Sequence, residues 1–406
     1  MKVLITAVQF SSDFSGLQRH AFNLARCLLK QPDITEVHFV VGPWQQQLAE
    51  DAGLKRMDRV VLHIATMGRG LAARNYWYYR HLPKLVDEIE PDIVHLSYPV
   101  PIDAGAIPKP VVVTLHDLYP YEIPENFGFP KVFFNRMILR QCLGSVDAIA
   151  CVSDTTLRRM REYLSPAFAK KASRIYNCVE PEADCAERSP LPELNSAPFL
   201  LTVSQHRKNK NIPLLLRSLY RLLHEKRVAS EMKLVVVGIK GPETPRIEQL
   251  IEELGMRSRV YFVRGLSDSQ LQWCYRNCQM LVAPSETEGF GLPVAEALLA
   301  GCQVVCSDIP AFREIDEGHC RFVNLDAEAE DTFAREIEEC LQRPLPLPIS
   351  LPRFSSAALG AEYMRLYRSL VPAWQPKTKD EKEQVARVST GGHGYEPIAG
   401  GKELVP

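Results

Sequence analysis

The sequence predicts an α/β protein built from two doubly wound parallel sheets in tandem. Three observations lead to this fold class. The chain has 406 residues, a length that favours two domains. Short β-branched runs alternate with segments whose apolar residues recur at helical spacing, which is typical of a parallel sheet covered on both faces. This alternation stops at residues 181–198 and then starts again.

Residues 1–180 form the first predicted domain. Segments such as GLQRHAFNLARCLLK and NYWYYRHLPKLVDEIE have the apolar spacing of helices. They separate seven runs that are predicted to be strands: KVLITAV, EVHFVVG, RVVLHIA, DIVHLSY, PVVVTLHD, AIACVS and SRIYN. The sequence therefore predicts a sheet of parallel strands with helices on both faces.

Residues 181–198 are rich in proline and glutamate and are predicted to be a linker. The second domain, 199–345, repeats the alternation with the strand runs FLLTVS, KLVVVG, VYFVRG, QMLVAPS and QVVCSD. Ligands of such sheets bind beyond the carboxyl ends of the strands, so two domains that face each other predict an interdomain cleft. A proline-rich connector then leads to a predicted helix at 353–372, and residues 375–406 have the polar, glycine-rich composition of a disordered tail.

Composition excludes several classes of protein. The hydrophobic content of 46% and the charged content of 24% are ordinary for a soluble globular protein. The net charge is -1, without the clustered basic residues that nucleic-acid binding requires. The sequence has no apolar run long enough for a transmembrane helix, and its start is too quickly polar for a signal peptide. The 11 cysteines include no Cys-x-x-Cys pair, which favours free thiols in a reducing cytoplasm over a metal or redox role.

The stretch SETEGFGLPVAEALLAGC, Ser285 to Cys302, carries the strongest chemical signal. Its pattern predicts a turn that opens a helix, whose free N–H groups and dipole favour an anion such as phosphate. Glu288 and Glu296 would repel phosphate, but carboxylates accept hydrogen bonds from hydroxyl groups. Acceptors for hydroxyls beside donors for phosphate describe a nucleotide sugar. The alternative is that Glu296 only favours the helix start and that Glu288 is solvated.

This stretch resembles the Glu-x7-Glu signature of the retaining GT-B glycosyltransferases of family 4. The segment VSQHRKNKNIPLLLRSL resembles the one whose lysine binds the donor diphosphate in that family, and TLHDL, ACVSDTT, IYNCV and SDIPAFREI recur there in the same order. The resemblance spans most of the chain. It implies the GT-B fold of two Rossmann-like domains: 1–180 on the acceptor side and 199–345 binding the nucleotide sugar. The helix at 353–372 would pack back on the N-terminal domain.

The resemblance also implies roles for individual residues. Glu288 would lie beside the transferred sugar, and His116 would approach that sugar from the N-terminal domain; these two are the candidate catalytic residues. Glu296 would hold the ribose hydroxyls. The diphosphate and the sugar hydroxyls would be bound by Lys210, by the backbone amides of Phe290, Gly291 and Leu292, and by the loop at Gly16.

Two departures from the family pattern leave roles open. The family often has Gly-Arg where this chain has Ser204-Gln205, so Arg207 or Lys208 would have to replace the missing arginine. A double glycine is common where this chain has Ser15-Gly16, and one non-glycine residue narrows the loop conformations.

The individual residues also have plainer interpretations. His116 is otherwise an ordinary strand-end histidine paired with Asp117, and Lys210 a solvated lysine. Glu314 either lines the cleft or caps the helix that it begins, and Asn177 is expected to satisfy a turn rather than touch a substrate. One basic set is either a solvated face or a surface that docks on anionic lipid head groups: Arg158, Arg159, Arg161, Lys170 and Lys171.

The resulting hypothesis is a hexosyltransferase that uses GDP-mannose or a UDP-sugar and a glycan or lipid-linked acceptor, in bacterial surface polysaccharide synthesis. It would need no cofactor and no metal, because no Asp-x-Asp follows a predicted strand. We expect a cytoplasmic location with peripheral membrane contact through the N-terminal domain. The rival hypotheses are a GT-B sugar-nucleotide epimerase and a non-catalytic partner that binds nucleotide sugars. The sugar, the base, the acceptor and the oligomeric state stay open.

Overall fold

The computed structural model describes residues 1–9, 15–180, 186, 188–194 and 196–372. The described residues form two parallel sheets, one of seven and one of six strands, each covered by helices. This confirms the predicted fold class. The predicted tail at 375–406 and the first part of the predicted linker lie outside the described residues.

The first sheet contains all seven strands that the sequence predicts, in the order β3-β2-β1-β4-β5-β6-β7. These are β1 Lys2–Thr6, β2 Glu36–Val41, β3 Val60–Ile64, β4 Ile93–Leu96, β5 Val111–Leu115, β6 Ala148–Cys151 and β7 Ala172–Arg174. Its helices are α1 Gly16–Leu29, α2 Gln46–Asp51, α3 Leu71–Tyr76, α4 Leu82–Ile89, α5 Tyr119–Glu122, α6 Lys131–Ser145, α7 Asp154–Tyr163 and α8 Pro166–Ala169. A π-helical segment, Trp77–His81, joins α3 to α4.

The second sheet has the order β10-β9-β8-β11-β12-β13. Its strands are β8 Phe199–Val203, β9 Lys233–Val237, β10 Val260–Val263, β11 Met280–Ala283, β12 Val304–Ser307 and β13 Cys320–Val323. Its helices are α9 Ile212–His224, α10 Thr244–Glu253, α11 Asp268–Asn277, α12 Leu292–Leu299, α13 Pro310–Ile315 and α14 Ala329–Leu341. The sequence prediction missed β13, because its segment CRFV contains a charged arginine and only one β-branched residue, and its pairing with β12 is a tertiary contact.

In both sheets the strand order reverses at the first strand, since β1 lies between β2 and β4, and β8 lies between β9 and β11. Ligands bind in the crevice beyond the carboxyl ends of strands at such switch points. The candidate residues follow strands at or next to these points: Gly16 comes after β1, His116 after β5, Lys210 after β8 and Glu288 after β11. The topology therefore brings them to the facing edges of the two sheets.

The last helix, α15 (Ser356–Leu370), packs against α1 of the first sheet. The two helices approach closely at Gly360, where a Cβ atom would lie 2.3 Å from the carbonyl oxygen of Cys27. Tyr363 and Tyr367 of α15 are fully buried in this contact. A side chain at Gly360 would push the helices apart, so glycine is required there. Among the described residues, none of the helices is long and apolar enough to cross a membrane.

Candidate active site

The EGFGL loop joins β11 to α12, as the sequence predicts. Gly291 precedes the helix with a φ of 110°, a conformation that favours glycine, and Gly301 follows it with a φ of 74°. The side chain of Phe290 is buried in an aromatic cluster with Tyr176 and Phe354. Within the described part of the chain, the backbone N–H groups of Phe290, Gly291 and Leu292 make no hydrogen bond. Three donors are therefore free at the start of a helix, where an anion is favoured.

Glu288, at the beginning of this loop, is held by groups from both domains. Its carboxylate accepts hydrogen bonds from Lys210 Nζ (2.5 Å) and Ser285 Oγ (2.7 Å), which belong to its own domain. The Tyr119 hydroxyl of the N-terminal domain donates to the other oxygen (3.1 Å). The alternative of a solvated Glu288 is therefore wrong.

The loop touches the N-terminal domain at Gly289. A Cβ atom at this position would lie 1.8 Å from the carbonyl oxygen of His116, so only glycine fits. The hydroxyls of Ser153 (2.5 Å) and Thr156 (3.0 Å) both donate to the Gly289 carbonyl oxygen. The two domains are therefore in direct contact at the candidate catalytic residues.

His116 is a half-buried, neutral imidazole. Its Nε2–H donates to the carbonyl oxygen of Ser97 (2.9 Å), so the ring does not take the proposed partner Asp117. Burial lowers the pKa of His116 to about 4. Its Nδ1 is then an acceptor at neutral pH, because a neutral imidazole has one donor and one acceptor nitrogen.

Asp117, the next residue, accepts a hydrogen bond from the Tyr119 backbone N–H (3.1 Å). Burial raises the pKa of Asp117, while attraction to Arg207 and Lys210 works against the rise. Arg207 is thus near enough to Asp117 to stabilise its charged form, and its guanidinium lies 5.8 Å from the centroid of the Phe127 ring. Lys208 instead points to the surface, where its Nζ pairs with Glu125 (3.4 Å). Of the two proposed substitutes for the family arginine, the structure brings only Arg207 to the site.

Glu296 lies in the second turn of α12. One carboxylate oxygen accepts from Arg19 of the N-terminal domain (2.7 Å), and the other accepts from the Tyr275 hydroxyl (2.8 Å). Arg19 also pairs with Asp268. Burial alone would lower the pKa of Arg19, but these carboxylates outweigh it and raise that pKa. The interpretation of Glu296 as a residue that only favours the helix start is therefore wrong.

Sequence analysis did not identify Arg19. Its one sequence signal is its position three residues after Gly16, the first residue of α1. The Ser15 hydroxyl caps this helix, and Gln18 bonds back to the Ser15 N–H, so the single glycine is compatible with an ordered helix start. Among the described residues, no atom lies within 4 Å of a Cβ atom built at Gly16.

Two further interpretations are corrected by the structure. Glu314 does not cap its own helix; it accepts hydrogen bonds from the backbone N–H groups of Asp154 (2.8 Å) and Thr155 (2.6 Å), at the start of α7 in the other domain. Asn177 does not satisfy a turn; its side-chain oxygen bonds to His20 Nδ1 (2.8 Å). Sequence patterns did not reveal either contact, because each joins segments that are distant in the chain.

The basic set at the end of the first domain is largely engaged in internal contacts. Arg159 pairs with Glu122 (3.1 Å) and Glu162 (2.9 Å). Lys171 Nζ donates to the carbonyl oxygens of Gly144 (3.2 Å) and Val146 (2.6 Å). These contacts stabilise the fold and weaken the case for a lipid-binding surface at these residues.

Two family descriptions match adjacent parts of the chain: Glycosyltransferase Family 4 over residues 14–183, and Glycosyl transferases group 1 over residues 186–356. Together they cover most of the chain. The chain belongs to the GT-B glycosyltransferases of family 4.

Curated relatives of this glycosyltransferase include O-antigen enzymes. It is 25% identical over 272 residues to the O-antigen chain mannosyltransferase RfbU of Salmonella typhimurium, which covers 66% of this chain and 69% of the relative. It is 27% identical over 277 residues to the serotype-specific mannosyltransferase WbdA of Escherichia coli, which covers 62% of this chain but only 32% of that longer relative.

Solved structures of the same fold include WaaG, a glycosyltransferase involved in lipopolysaccharide biosynthesis, with a TM-score of 0.63 and 19% identity over 97% of this chain and 100% of that chain. The structure of HepE from Anabaena in complex with UDP and glucose gives a TM-score of 0.61 and 16% identity over 96% of this chain and 99% of that one. At these identities the likeness shows the fold alone.

Proposed function

We propose that this glycosyltransferase moves a hexose from a nucleotide-diphosphate sugar to an acceptor with retention of the anomeric configuration. One observation carries the proposal. The Glu288–Lys210 pair lies next to three backbone N–H groups that have no partner among the described residues, and it faces Tyr119 and the neutral His116 across the domain contact. Such a set offers acceptors for sugar hydroxyls next to donors for a diphosphate.

Departure of the diphosphate is the step that needs electrostatic help. Negative charge grows on the leaving diphosphate, and Lys210, the free amides of the EGFGL loop and the α12 dipole would stabilise it. Lys210 would exchange its bond to Glu288 for one to the diphosphate. The released Glu288 carboxylate would then accept a hydrogen bond from one hydroxyl of the sugar. His116 Nδ1 would accept a hydrogen bond from another hydroxyl on the opposite side.

The curated relatives favour mannose as the first sugar to test. RfbU is named as an O-antigen chain mannosyltransferase and WbdA as a serotype-specific mannosyltransferase, which supports GDP-mannose as the donor and a glycan or lipid-linked acceptor in bacterial surface polysaccharide synthesis. A UDP-sugar is the second choice, because HepE shares the fold and was solved with UDP-glucose. These likenesses support the choice of substrates to test and do not replace the test.

The first experiment compares nucleoside diphosphates by thermal shift, because a ligand of the native state raises the melting temperature by mass action. The donor that corresponds to the best diphosphate is then incubated with and without lipid-linked or oligosaccharide acceptors. Transfer only with acceptor, with the anomeric configuration retained by NMR, supports the proposal. A changed sugar nucleotide without acceptor would identify an epimerase, and binding without turnover a non-catalytic partner.

Transfer should not require a metal, because Lys210 and backbone donors can stabilise the charge on the diphosphate. The check is transfer in excess chelator, with and without added magnesium or manganese. Loss of activity in chelator and recovery with either metal would contradict a metal-independent mechanism.

We propose α6, rather than the basic set near Arg158, as the peripheral membrane contact. Its first two turns and the preceding loop expose large apolar side chains: Phe129, Phe133, Phe134 and Met137, exposed by 89%, 58%, 50% and 50%. The helix also carries Lys131, Arg136 and Arg140 and has no acidic residue. Arg136 donates to the carbonyl oxygen of Pro120 (2.7 Å) and Arg140 to the Tyr121 hydroxyl (2.9 Å), so the exposed apolar side chains, rather than the charges, distinguish α6 from the set near Arg158. Exposed aromatic residues beside basic ones are typical of helices that lie on anionic bilayers.

Vesicle flotation tests this contact. Binding should be greater with phosphatidylglycerol vesicles than with phosphatidylcholine vesicles, and should fall with salt. Replacing Phe133 and Phe134 with serine should abolish it, whereas replacing Arg158 and Lys170 with glutamine should have little effect. Equal recovery of the wild type with both vesicle types would contradict the proposed surface.

A further inference from the structure

A row of buried polar side chains runs through the N-terminal domain beside the candidate site. Four contacts join side chains from α15, β4, β5 and α1 and from the segment after β7. His95 Nδ1 lies 2.6 Å from the Tyr367 hydroxyl, and His95 Nε2 lies 2.8 Å from Thr114 Oγ1. His20 Nε2 lies 3.1 Å from the same Thr114 oxygen, and His20 Nδ1 lies 2.8 Å from Asn177 Oδ1. All five side chains are almost completely buried.

The proton positions in this row follow from its chemistry. Both histidines are neutral, because burial lowers the pKa of His20 and lowers that of His95 to about 3. The Asn177 oxygen only accepts, so His20 carries its proton on Nδ1 and accepts on Nε2. Thr114 therefore donates its single proton to His20.

The remaining contacts are then determined. Because Thr114 has no second proton, His95 must donate to it from Nε2. His95 is neutral, so its Nδ1 accepts the proton of the Tyr367 hydroxyl. The hydrogen bonds thus point in one direction, from Tyr367 through His95, Thr114 and His20 to Asn177, and no donor faces another donor.

His20, in this row, contacts the candidate site. The His20 ring packs edge-on against the His116 ring, with centroids 4.6 Å apart. The residue before His20 is Arg19, which binds Glu296 of the other domain (2.7 Å). A shift or rotation of α1 would therefore move the support of His116 and the partner of Glu296 together.

We propose that the directional hydrogen-bond chain Tyr367–His95–Thr114–His20–Asn177 positions α1, and through it His116 and Arg19, for binding of the sugar nucleotide. The five are positioning residues, since they act through His116 and Arg19. The last helix, which packs against α1, thus contributes to the donor site through Tyr367. The role in donor binding rests on the proposed function, but the direction of the chain does not.

The direction is tested without activity by ¹⁵N NMR of histidine-labelled full-length protein at neutral pH. His20 should be the Nδ1–H tautomer, and His95 and His116 the Nε2–H tautomer, with signals assigned from single histidine variants. Equal tautomers at His20 and His95, the reverse arrangement, or a doubly protonated ring at either position would overturn the proposed chain.

The positioning role is tested at Thr114, in the middle of the chain. Thr114→Val removes the hydroxyl with little change of shape, and Thr114→Ser keeps it. Thr202→Val is the matched control, because Thr202 is a buried strand threonine of the other sheet. We expect Thr114→Val to lower kcat/KM for the donor at least about tenfold, mainly through KM, at temperatures where it is fully folded. Thr114→Ser should restore most of the loss, and Thr202→Val should cause little.

Tyr367→Phe supplies a second variant at the other end of the chain, and should cause a smaller loss of the same kind. A folded Thr114→Val protein with wild-type kcat and KM would overturn the positioning role and leave the chain purely structural. If the wild type itself transfers no sugar, the proposed function fails. The tautomers and the binding of nucleoside diphosphates to Thr114→Val by calorimetry would then still decide whether the chain exists and supports the site.

Discussion

Glu288 in the EGFGL loop and Glu296 in α12 have similar partners but receive them from opposite domains. Each carboxylate accepts a hydrogen bond from one cationic side chain and another from one tyrosine hydroxyl. Glu288 receives its cation, Lys210, from its own domain and its tyrosine, Tyr119, from the N-terminal domain. Glu296 receives its cation, Arg19, from the N-terminal domain and its tyrosine, Tyr275, from its own.

This difference separates Glu288, whose cation comes from its own domain, from Glu296, whose cation depends on the contact between the domains. The Glu288–Lys210 pair stays within one domain and survives if the domains separate. The Arg19–Glu296 pair bridges them, so separation breaks it. We therefore expect changes at Glu288 to affect the transfer step, and changes at Glu296 to affect donor binding while the two domains are in contact.

The largest effect is expected for Glu288→Gln. It keeps the size but removes the charge beside the transferred sugar, so kcat should fall at least about 100-fold. Affinity for the nucleoside diphosphate should be unchanged or tighter, because Lys210 loses its competing carboxylate. Kinetics and calorimetry measure both, after circular dichroism and the melting temperature have been checked. Glu286→Gln is the matched control from the same loop; a wild-type kcat in Glu288→Gln would mean that this carboxylate is structural.

Lys210→Ala should weaken binding of the nucleoside diphosphate by about 1–3 kcal/mol, the scale of a charged hydrogen bond. We expect the lower part of this range, because Lys210 must first leave Glu288 (2.5 Å). Titration calorimetry measures the change. Lys208→Ala removes an exposed lysine two residues away and should have little effect. Equal affinities of wild type and Lys210→Ala would exclude Lys210 from the diphosphate site.

Glu296→Ala should raise KM for the donor about tenfold and lower kcat less, because ribose contacts do not change during transfer. Arg19→Ala should act in the same direction, and the double variant should cost less than the sum of the two, since the side chains are in contact. Asp268→Asn, which touches Arg19 but not Glu296, should be milder. Strict additivity of Glu296→Ala and Arg19→Ala would contradict the bridging role of their pair.

The last prediction concerns stability rather than activity, through the dependence of the free energy of unfolding on the protonation of His20, His95 and His116. Burial lowers the pKa of His20, of His95 to about 3 and of His116 to about 4, whereas an unfolded histidine titrates near pH 6.5. Below about pH 6.5 the unfolded chain therefore binds protons that the folded protein does not. The free energy of unfolding should fall as the pH falls from there toward about pH 4, by up to about 1.4 kcal/mol per pH unit for each histidine.

Urea unfolding between about pH 7.5 and about pH 4.5 measures this slope. His95→Asn should reduce this slope by the contribution of one histidine, up to about 1.4 kcal/mol per pH unit. His224→Gln, at an exposed position, should leave it unchanged. Equal slopes for His95→Asn and the wild type would show that His95 titrates alike in the folded and unfolded states.

Much of the fold followed from local patterns. Seven strands of the first sheet and five of the second were predicted, because β-branched runs and helical spacing are properties of short segments. β13 was missed, since its segment CRFV has only one β-branched residue and is recognised as a strand only by its pairing with β12. The motif residues Lys210, Phe290, Gly291, Leu292 and Glu296 were singled out because glycines, carboxylates and a lysine at their spacing resemble a known family.

The sequence by itself determined the two sheets, the loop at the start of α12 and the types of groups that it offers to a ligand. Only the tertiary structure decided their partners. Arg19 and Glu296 are 277 residues apart, and Tyr367 and His95 are 272 apart. A residue carries in its local pattern the tendency to form a strand or helix, but nothing that names a contact so distant. That contact depends on how the two domains and the last helix pack, which places the ends of α1, β5 and α12 in one volume.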